Sequence, residues 1–261
     1  MTDEEILEGR ILDLAERAWQ RDILTHTGFL TLAEQARLQD LREGRRRPGT
    51  GAFPPVPMTL IGGFEEAERR MAVFLPSYPA EEEVRDLVRP LKIVPKQKAF
   101  AEELTHRDYL GALMNLGIER ELLGDILTDK EEKEAVVFAQ AHIAEIICAD
   151  LTRVRHTDVT VRDLQPGEAL KGPETEDIAG SVASERLDCL ISFVFRLSRT
   201  RSQEIIRSEA VTADGRLITD PGRELKEGSR VSVRGLGKFI YRGAIKKTKK
   251  DRLIVCCQRF V

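Results

Sequence analysis

Residues that usually announce chemistry are scarce in this chain. Its 261 residues include 4 cysteines, 4 histidines and 1 tryptophan, with only 5% aromatics. Cys148, Cys189, Cys256 and Cys257 contain no C-x-x-C pair, and adjacent cysteines cannot readily close a regular metal site, so reduced structural thiols are expected rather than disulfides or zinc. His26, His106, His142 and His156 make no metal-spaced pair, and none sits in a nucleophile elbow. Gly235-Leu236-Gly237 lacks the third glycine and following helix of a dinucleotide or S-adenosylmethionine loop, and there is no Walker A sequence. Carboxylates are plentiful, but nothing marks one pair as acid and base. No apolar run of about 18 residues exists, so no transmembrane helix is expected, and the acidic start from Met1 to Glu8 is unlike a secretory signal. The expectation is a soluble, cytoplasmic, non-catalytic protein with no cofactor and no metal.

What the chain does have is charge, and it is unevenly placed. Residues 185–261 carry 18 Lys and Arg against 9 Asp and Glu, whereas residues 1–184 carry 23 against 35. A tail of about +9 on a body of about −12 hides behind the total of −3, and a compact basic module of this kind points to a polyanionic partner such as RNA or DNA.

The pattern within the tail predicts two short helices. Leu187, Leu190, Ile191 and Val194 recur at i, i+3, i+4 and i+7, an apolar stripe with Arg186 and Arg196 outside it. Ser198 is placed to cap the second helix, which buries Ile205 and Ile206. Arg199 and Arg201 then fall in its first turn, where the macrodipole disfavours cations. Local preference is broken there, and two guanidiniums beside unpaired N–H groups suit a phosphate; the alternative is a solvated basic face. Short strands follow at 211–213, 217–219 and 230–234, separated by Asp214-Gly215, Asp220-Pro221-Gly222 and Glu227-Gly228. The segment 233–243 interleaves Arg234, Lys238 and Arg242 with Phe239 and Tyr241, rings that either stack on bases or pack as core, with core favoured for Phe239.

Arg186-Leu187-Asp188, Leu197-Ser198-Arg199, Arg207-Ser208 to Gly215, Leu225 to Gly228 and Val233-Arg234-Gly235 to Phe239 together resemble the S4 RNA-binding domain over nearly the whole tail. In that family two helices pack on a small bent sheet and a basic helical face grips structured RNA. The resemblance implies an αL-type S4 domain at 184–261 with RNA-binding residues Arg186, Ser198, Arg199, Arg201, Arg207, Arg234, Lys238 and Arg242. Two positions depart from the family pattern: Glu209-Ala210 replaces a Gly-containing turn, and Asp214 stands where Asn is common.

The body reads as α+β. Ile6, Leu7, Ile11, Leu14 and Ala18 predict a helix over 4–20, and Thr31 to Glu34 is a capping box opening a second helix to about Arg42. This gives an N-terminal helical region at 1–67, ending in a Gly- and Pro-rich loop with Arg45-Arg46-Arg47, a run that either touches phosphate or is simply solvated. Strands at 71–75, 91–94, 135–139 and 159–161 alternate with helices at 81–88, after Thr105, and at 143–151, with Gly117 as a helix-ending glycine. The order is ferredoxin-like or RNA-recognition-motif (RRM)-like and defines a central domain at 68–166, followed by a linker at 167–183.

The segments 106–126 and 62–70, taken with the tail, are similar to the YlmH group of S4 proteins. That resemblance implies a ribosome-associated factor binding rRNA or tRNA on the large ribosomal subunit or on peptidyl-tRNA of stalled particles. His106, Arg107, Arg120 and Asp125 match the group's signature. As structure, Asp108 caps a helix and Asp125 ends a turn; as function, Arg107 and Arg120 present a second RNA face. Because S4 domains also accompany pseudouridine synthases and rRNA methyltransferases, an RNA-modifying enzyme is one competing class. A protein-protein adaptor linked to cell division, docking through the acidic body, is another.

Overall fold

Three helices of the body begin in the same way, with a threonine whose hydroxyl and backbone exchange hydrogen bonds with an acid three residues on. A computed structural model describes residues 2–45, 51–168, 171–248 and 252–260, and the chain divides into two units, Met1–Gly172 and Pro173–Val261.

In the first unit, helices α1 (Asp3–Arg21) and α2 (Leu32–Arg42) pack on an antiparallel sheet of order β1-β3-β2, built from β1 (Thr25–Leu30), β2 (Met58–Ile61) and β3 (Arg70–Phe74). Ile11, Ala15 and Ala18 meet Leu30, Leu38, Leu41, Ala72 and Phe74 in one core, while Ile6, placed in the apolar stripe by its spacing, is 49% exposed. The expected helical region at 1–67 is thus itself α+β, and its expected boundary cuts between two paired strands. The cause is visible in β1: five of its six residues are buried, so no polar-apolar alternation marks it as a strand.

The rest of the unit is a βαββαβ fold. Its elements are a short helix α3 (Glu81–Asp86), then β4 (Val88–Pro95), α4 (His106–Asn115), β5 (Leu123–Asp129), β6 (Glu134–Gln140), α5 (Ala141–Asp150), β7 (Arg153–Val154) and β8 (Thr157–Asp163), with sheet order β5-β6-β4-β8-β7, antiparallel throughout. Without the small β7 this is the ferredoxin-like order expected from the sequence, but with one strand exchanged: the expected strand at 71–75 is β3 of the first sheet, and β5 stands in its place. Leu91, Ile93, Ala135, Val137 and Ala139 face α4 and α5 with Tyr109, Leu113, Ile143 and Ile147.

The opposite sheet face, which an RNA-recognition motif leaves open for base stacking, is covered. Val88, Leu127, Val136 and Phe138 pack there against Phe29 and Met71 of the first sheet, and Phe64 stacks on Phe138 with centroids 4.8 Å apart. Lys92, on the same face, is paired with Glu134 at 2.9 Å and Glu168 at 3.1 Å. Gly63 makes the closure possible: its φ is +90°, and a Cβ there would lie 2.3 Å from the Phe138 ring.

The second unit has helices α6 (Leu187–Val194) and α7 (Arg199–Arg207) against a six-stranded antiparallel sheet of order β11-β10-β12-β13-β14-β9. The strands are β9 (Thr175–Val182), β10 (Val211–Ala213), β11 (Arg216–Leu217), β12 (Arg230–Val233), β13 (Gly237–Lys247) and β14 (Leu253–Phe260). Nearly half of the expected linker is therefore strand: β9 pairs with β14 from Val182↔Leu253 to Thr175↔Phe260. As an edge strand it is mostly exposed, and its polar sequence TEDIAGSV gives no burial signal. Cys256 and Cys257 lie side by side in β14 and point to opposite faces, which is why they share no site.

Glycine substitutions give a direct check of the covered face. Gly111 in α4 has no atom within 4 Å of an added Cβ, so Gly111→Ala should raise stability by about 0.5–1 kcal/mol. Gly63→Ala should lower it by about 2 kcal/mol or more. Urea unfolding followed by the fluorescence of Trp19, the single tryptophan, reads the first unit for both.

Candidate nucleic-acid interface

The α6 stripe Leu187, Leu190, Ile191 and Val194 is buried, and so is Asp188 in the middle of it. A fully buried carboxylate needs donors, and five hydrogen bonds supply them. Its Oδ1 accepts from Arg186 Nε at 3.1 Å, and its Oδ2 from Arg186 Nη2 at 3.2 Å, from Arg199 Nε and Nη2 at 3.3 and 3.2 Å, and from Gln203 Nε2 at 2.8 Å. Burial acts to raise the Asp188 pKa, but hydrogen bonds from Arg186 and Gln203 with the charges of Arg199 and Arg186 outweigh it and hold the value down at about 2. One anion thereby fixes two guanidiniums whose side chains remain 39% and 51% exposed. The cluster keeps a net charge near +1, and Nη1 of each arginine is unbonded.

The chain between the helices sets this geometry. Arg196 takes φ +53° at the end of α6, and the Leu197 N–H reaches back to Ser192 O at 3.0 Å. Ser198 then caps α7, its Oγ accepting from Arg201 N at 3.1 Å. Arg201 pairs with Glu204 at 3.0 Å, both side chains more than half exposed. Such a surface pair is worth only about 0.2–1 kcal/mol, so a phosphate can displace it. Arg207 and Arg234 are exposed with no ion pair among the described residues, and Arg234 N–H bonds Ala210 O just beyond α7, at 2.8 Å.

Other candidates stand elsewhere. Phe239 and Tyr241 are fully buried; the first meets Phe195 edge-on at 6.0 Å and the second donates its hydroxyl to Glu185, so neither ring is open for stacking. Because they face the helices, strand alternation turns Lys238 and Arg242 to the opposite side of the sheet. Arg242 there donates to Gln258 Oε1 at 3.2 and 2.5 Å. Glu209 has φ +58°, and Asp214-Gly215 turns with both residues at positive φ; the two departures from the S4 pattern keep their turns at some backbone strain at Glu209.

In the first unit, Arg120 does not form a second face with Arg107. Its guanidinium is turned inward onto Leu123 O at 2.5 Å and Gly124 O at 3.2 Å, and burial, aided by the nearby charge of Arg69, lowers its pKa to about 10. Asp125 does not end a turn: it lies in β5 and accepts from the N–H groups of Glu68 and Arg69 at 2.6 and 3.2 Å. Arg107 is exposed and lines a groove with Arg153, Arg155 and Asn115, where Arg155 reaches Asp108 at 3.3 Å. Arg153, Arg155 and Gln203 were not singled out in the sequence, since only the fold brings them near the candidates. Asp188 carried a readable signal, a carboxylate inside an apolar stripe. Arg45 is paired with Asp40 and Glu43, while Arg46 and Arg47 lie outside the described residues.

Comparison with known proteins agrees with the YlmH resemblance. Residues 90–168 match a family model described as "Putative RNA-binding domain in YlmH". The ribosome-associated protein quality control protein P2 of Bacillus subtilis (strain 168) is 28% identical over 205 residues, 78% of each chain. Among solved structures, the cell division protein ylmH from Streptococcus pneumoniae shares the fold, with a TM-score of 0.50 at 20% identity, covering 66% of this chain and 96% of that one.

The buried carboxylate makes the interface testable without any ligand. Asp188→Asn should cost about 2 kcal/mol, the scale of lost charge-assisted hydrogen bonds, seen as faster amide exchange in α6 and α7. The folded pKa lies below the unfolded value of about 3.9, so the stabilisation is present above that pH and is lost as pH falls towards 2. The difference between wild type and variant should therefore shrink over that window.

Proposed function

We propose that this YlmH-type chain is a non-catalytic, cytoplasmic RNA-binding factor whose C-terminal S4 domain grips rRNA or tRNA on the large ribosomal subunit or on peptidyl-tRNA of stalled ribosomes. The observation that carries the reading is the Asp188 cluster. Two arginines held in fixed orientation at one end of a helix pair, with outward N–H groups unbonded, are preorganised for phosphate oxygens. Arg201 and the Ser198-capped start of α7 extend that surface, and Arg207 and Arg234 flank the other end of α7.

The relative's name, a ribosome-associated quality control protein, and the RNA-binding description of the family matching residues 90–168 support the setting. With the sheet face of that central domain covered by Phe29 and Met71, its contribution falls to the groove of Arg107, Arg153 and Arg155. This groove takes the place of the Arg107–Arg120 pair as the second RNA face. Backbone contacts by arginine confer orientation and salt sensitivity more than base choice, which suits a factor that recognises a structured particle.

Arg199→Gln, which keeps an amide donor for Asp188, with Arg201→Glu should reduce affinity for purified large-subunit rRNA or tRNA by a hundredfold or more, roughly the loss of two phosphate contacts plus repulsion, with the circular-dichroism spectrum unchanged. For about three to five phosphates engaged, log K against log[salt] should have a slope near −2 to −4. Unaltered affinity in the folded variant, or a flat salt response, removes the proposal. Gradient sedimentation with large subunits separates ribosome binding from binding of free RNA.

A further inference from the structure

The two signature segments of the first unit converge on a cavity of about 250 Å³ lined by Arg10, Thr31, Glu34, Arg69, Arg120 and Glu121 over an apolar floor that includes Phe29. Arg69 comes from the segment 62–70 and Arg120 from the segment 106–126. We infer that this cavity is a binding site for a phosphate group, clasped between the guanidiniums of Arg69 and Arg120.

Guanidinium donors are left over at this cavity. Arg69 donates Nε to Leu123 O at 3.1 Å and Nη2 to Phe29 O at 2.6 Å and Arg120 O at 3.4 Å; its Nη1 has no acceptor. Arg120 uses only Nη1, on Leu123 O and Gly124 O, leaving Nε and Nη2 without one. Both side chains are half-buried, both press on the acceptor Leu123 O, and neither forms an ion pair. Backbone carbonyls take only part of the hydrogen-bonding capacity of these guanidiniums; Asp125 lies near both cations and Glu34 near Arg69, but among the described residues neither carboxylate forms an ion pair with either guanidinium.

The acids nearby moderate the charge but take none of these donors. Asp125 spends its carboxylate on the Glu68 and Arg69 backbone N–H groups. Glu34 closes the α2 capping box through Thr31 N at 2.6 Å and Oγ1 at 2.8 Å, and Glu121 holds Arg10 at 2.9 and 3.0 Å. An oxyanion that accepts from Arg69 Nη1 and from Arg120 Nε and Nη2 would use all three donors at once. Size selects the ligand class: sites for drug-sized molecules run to roughly 300–1,000 Å³, so this one suits inorganic phosphate or the phosphomonoester end of a nucleotide or RNA rather than a whole dinucleotide. The site is separate from the basic tail and does not depend on the tail's reading.

The test is a titration of the full-length chain with inorganic phosphate at constant ionic strength, following the arginine Nε–Hε resonances by NMR. Saturable shifts of Arg69 and Arg120, absent with chloride, are expected at millimolar phosphate, corresponding to about −4 kcal/mol at a Kd near 1 mM. Arg120→Lys should weaken binding about tenfold or more, because an ammonium loses the planar fork. Arg10→Glu, an exposed rim change that leaves both inward arginines in place, should weaken it several-fold and serves if the first variant does not fold. A nucleoside 5′-monophosphate binding tighter than a 5′-phosphorylated RNA marks the ligand as a free small phosphate. A 5′-phosphorylated RNA preferred over its 5′-hydroxyl twin by tenfold marks an RNA end. No saturable shift at the two arginines, or equal binding by Arg10→Glu and Arg120→Lys, overturns the proposal.

Discussion

An ionised carboxylate taken out of water is tolerated only when donors surround it, and in the tail that constraint falls on Asp188. Its five hydrogen bonds tie the start of α6 to α7 through Arg186, Arg199 and Gln203. The same bonds decide how the arginines are displayed. A free surface arginine loses rotamer entropy when it meets a phosphate; these two have already lost much of it during folding. On the proposed reading, structure and recognition are one arrangement here, with a single buried charge at its centre.

In the first unit the governing fact is burial of a sheet face. A βαββαβ fold has two faces to cover, and α4 with α5 cover one. The second is closed by the small N-terminal sheet through Phe29, Met71 and Phe64. The ferredoxin-like order alone would suggest an open platform for bases, but the packing leaves none among the described residues of that face. Fold likeness and mode of binding are separate matters, and the groove beside α4 is where Arg107, Arg153 and Arg155 come together.

Features governed by short-range chemistry were readable in the sequence. The capping boxes at Thr31 and Thr105, the cap at Ser198, the stripe of α6 and the buried Phe239 all follow from spacing of a few residues. The fold missed β1 and β9 for opposite reasons, one buried on both sides and the other exposed along an edge. In neither case is there alternation to see. Among site residues, Arg120 was misread as surface because its acceptors, the carbonyls of Leu123 and Gly124, depend on how η2 (Arg120–Leu122) turns into β5. Lys238 and Arg242 were separable from the helical face in principle, since two inward rings at 239 and 241 imply two outward neighbours.

The pairing of β9 with β14 has a further consequence. The strand that opens the second unit finds its partner only in the strand that completes it, so the outer third of that sheet is joined by contacts spanning nearly the whole unit. Loop closure across such a distance comes late in folding. During synthesis on a ribosome, then, the helix pair and its arginines can assemble while β9 still waits for β14 to emerge.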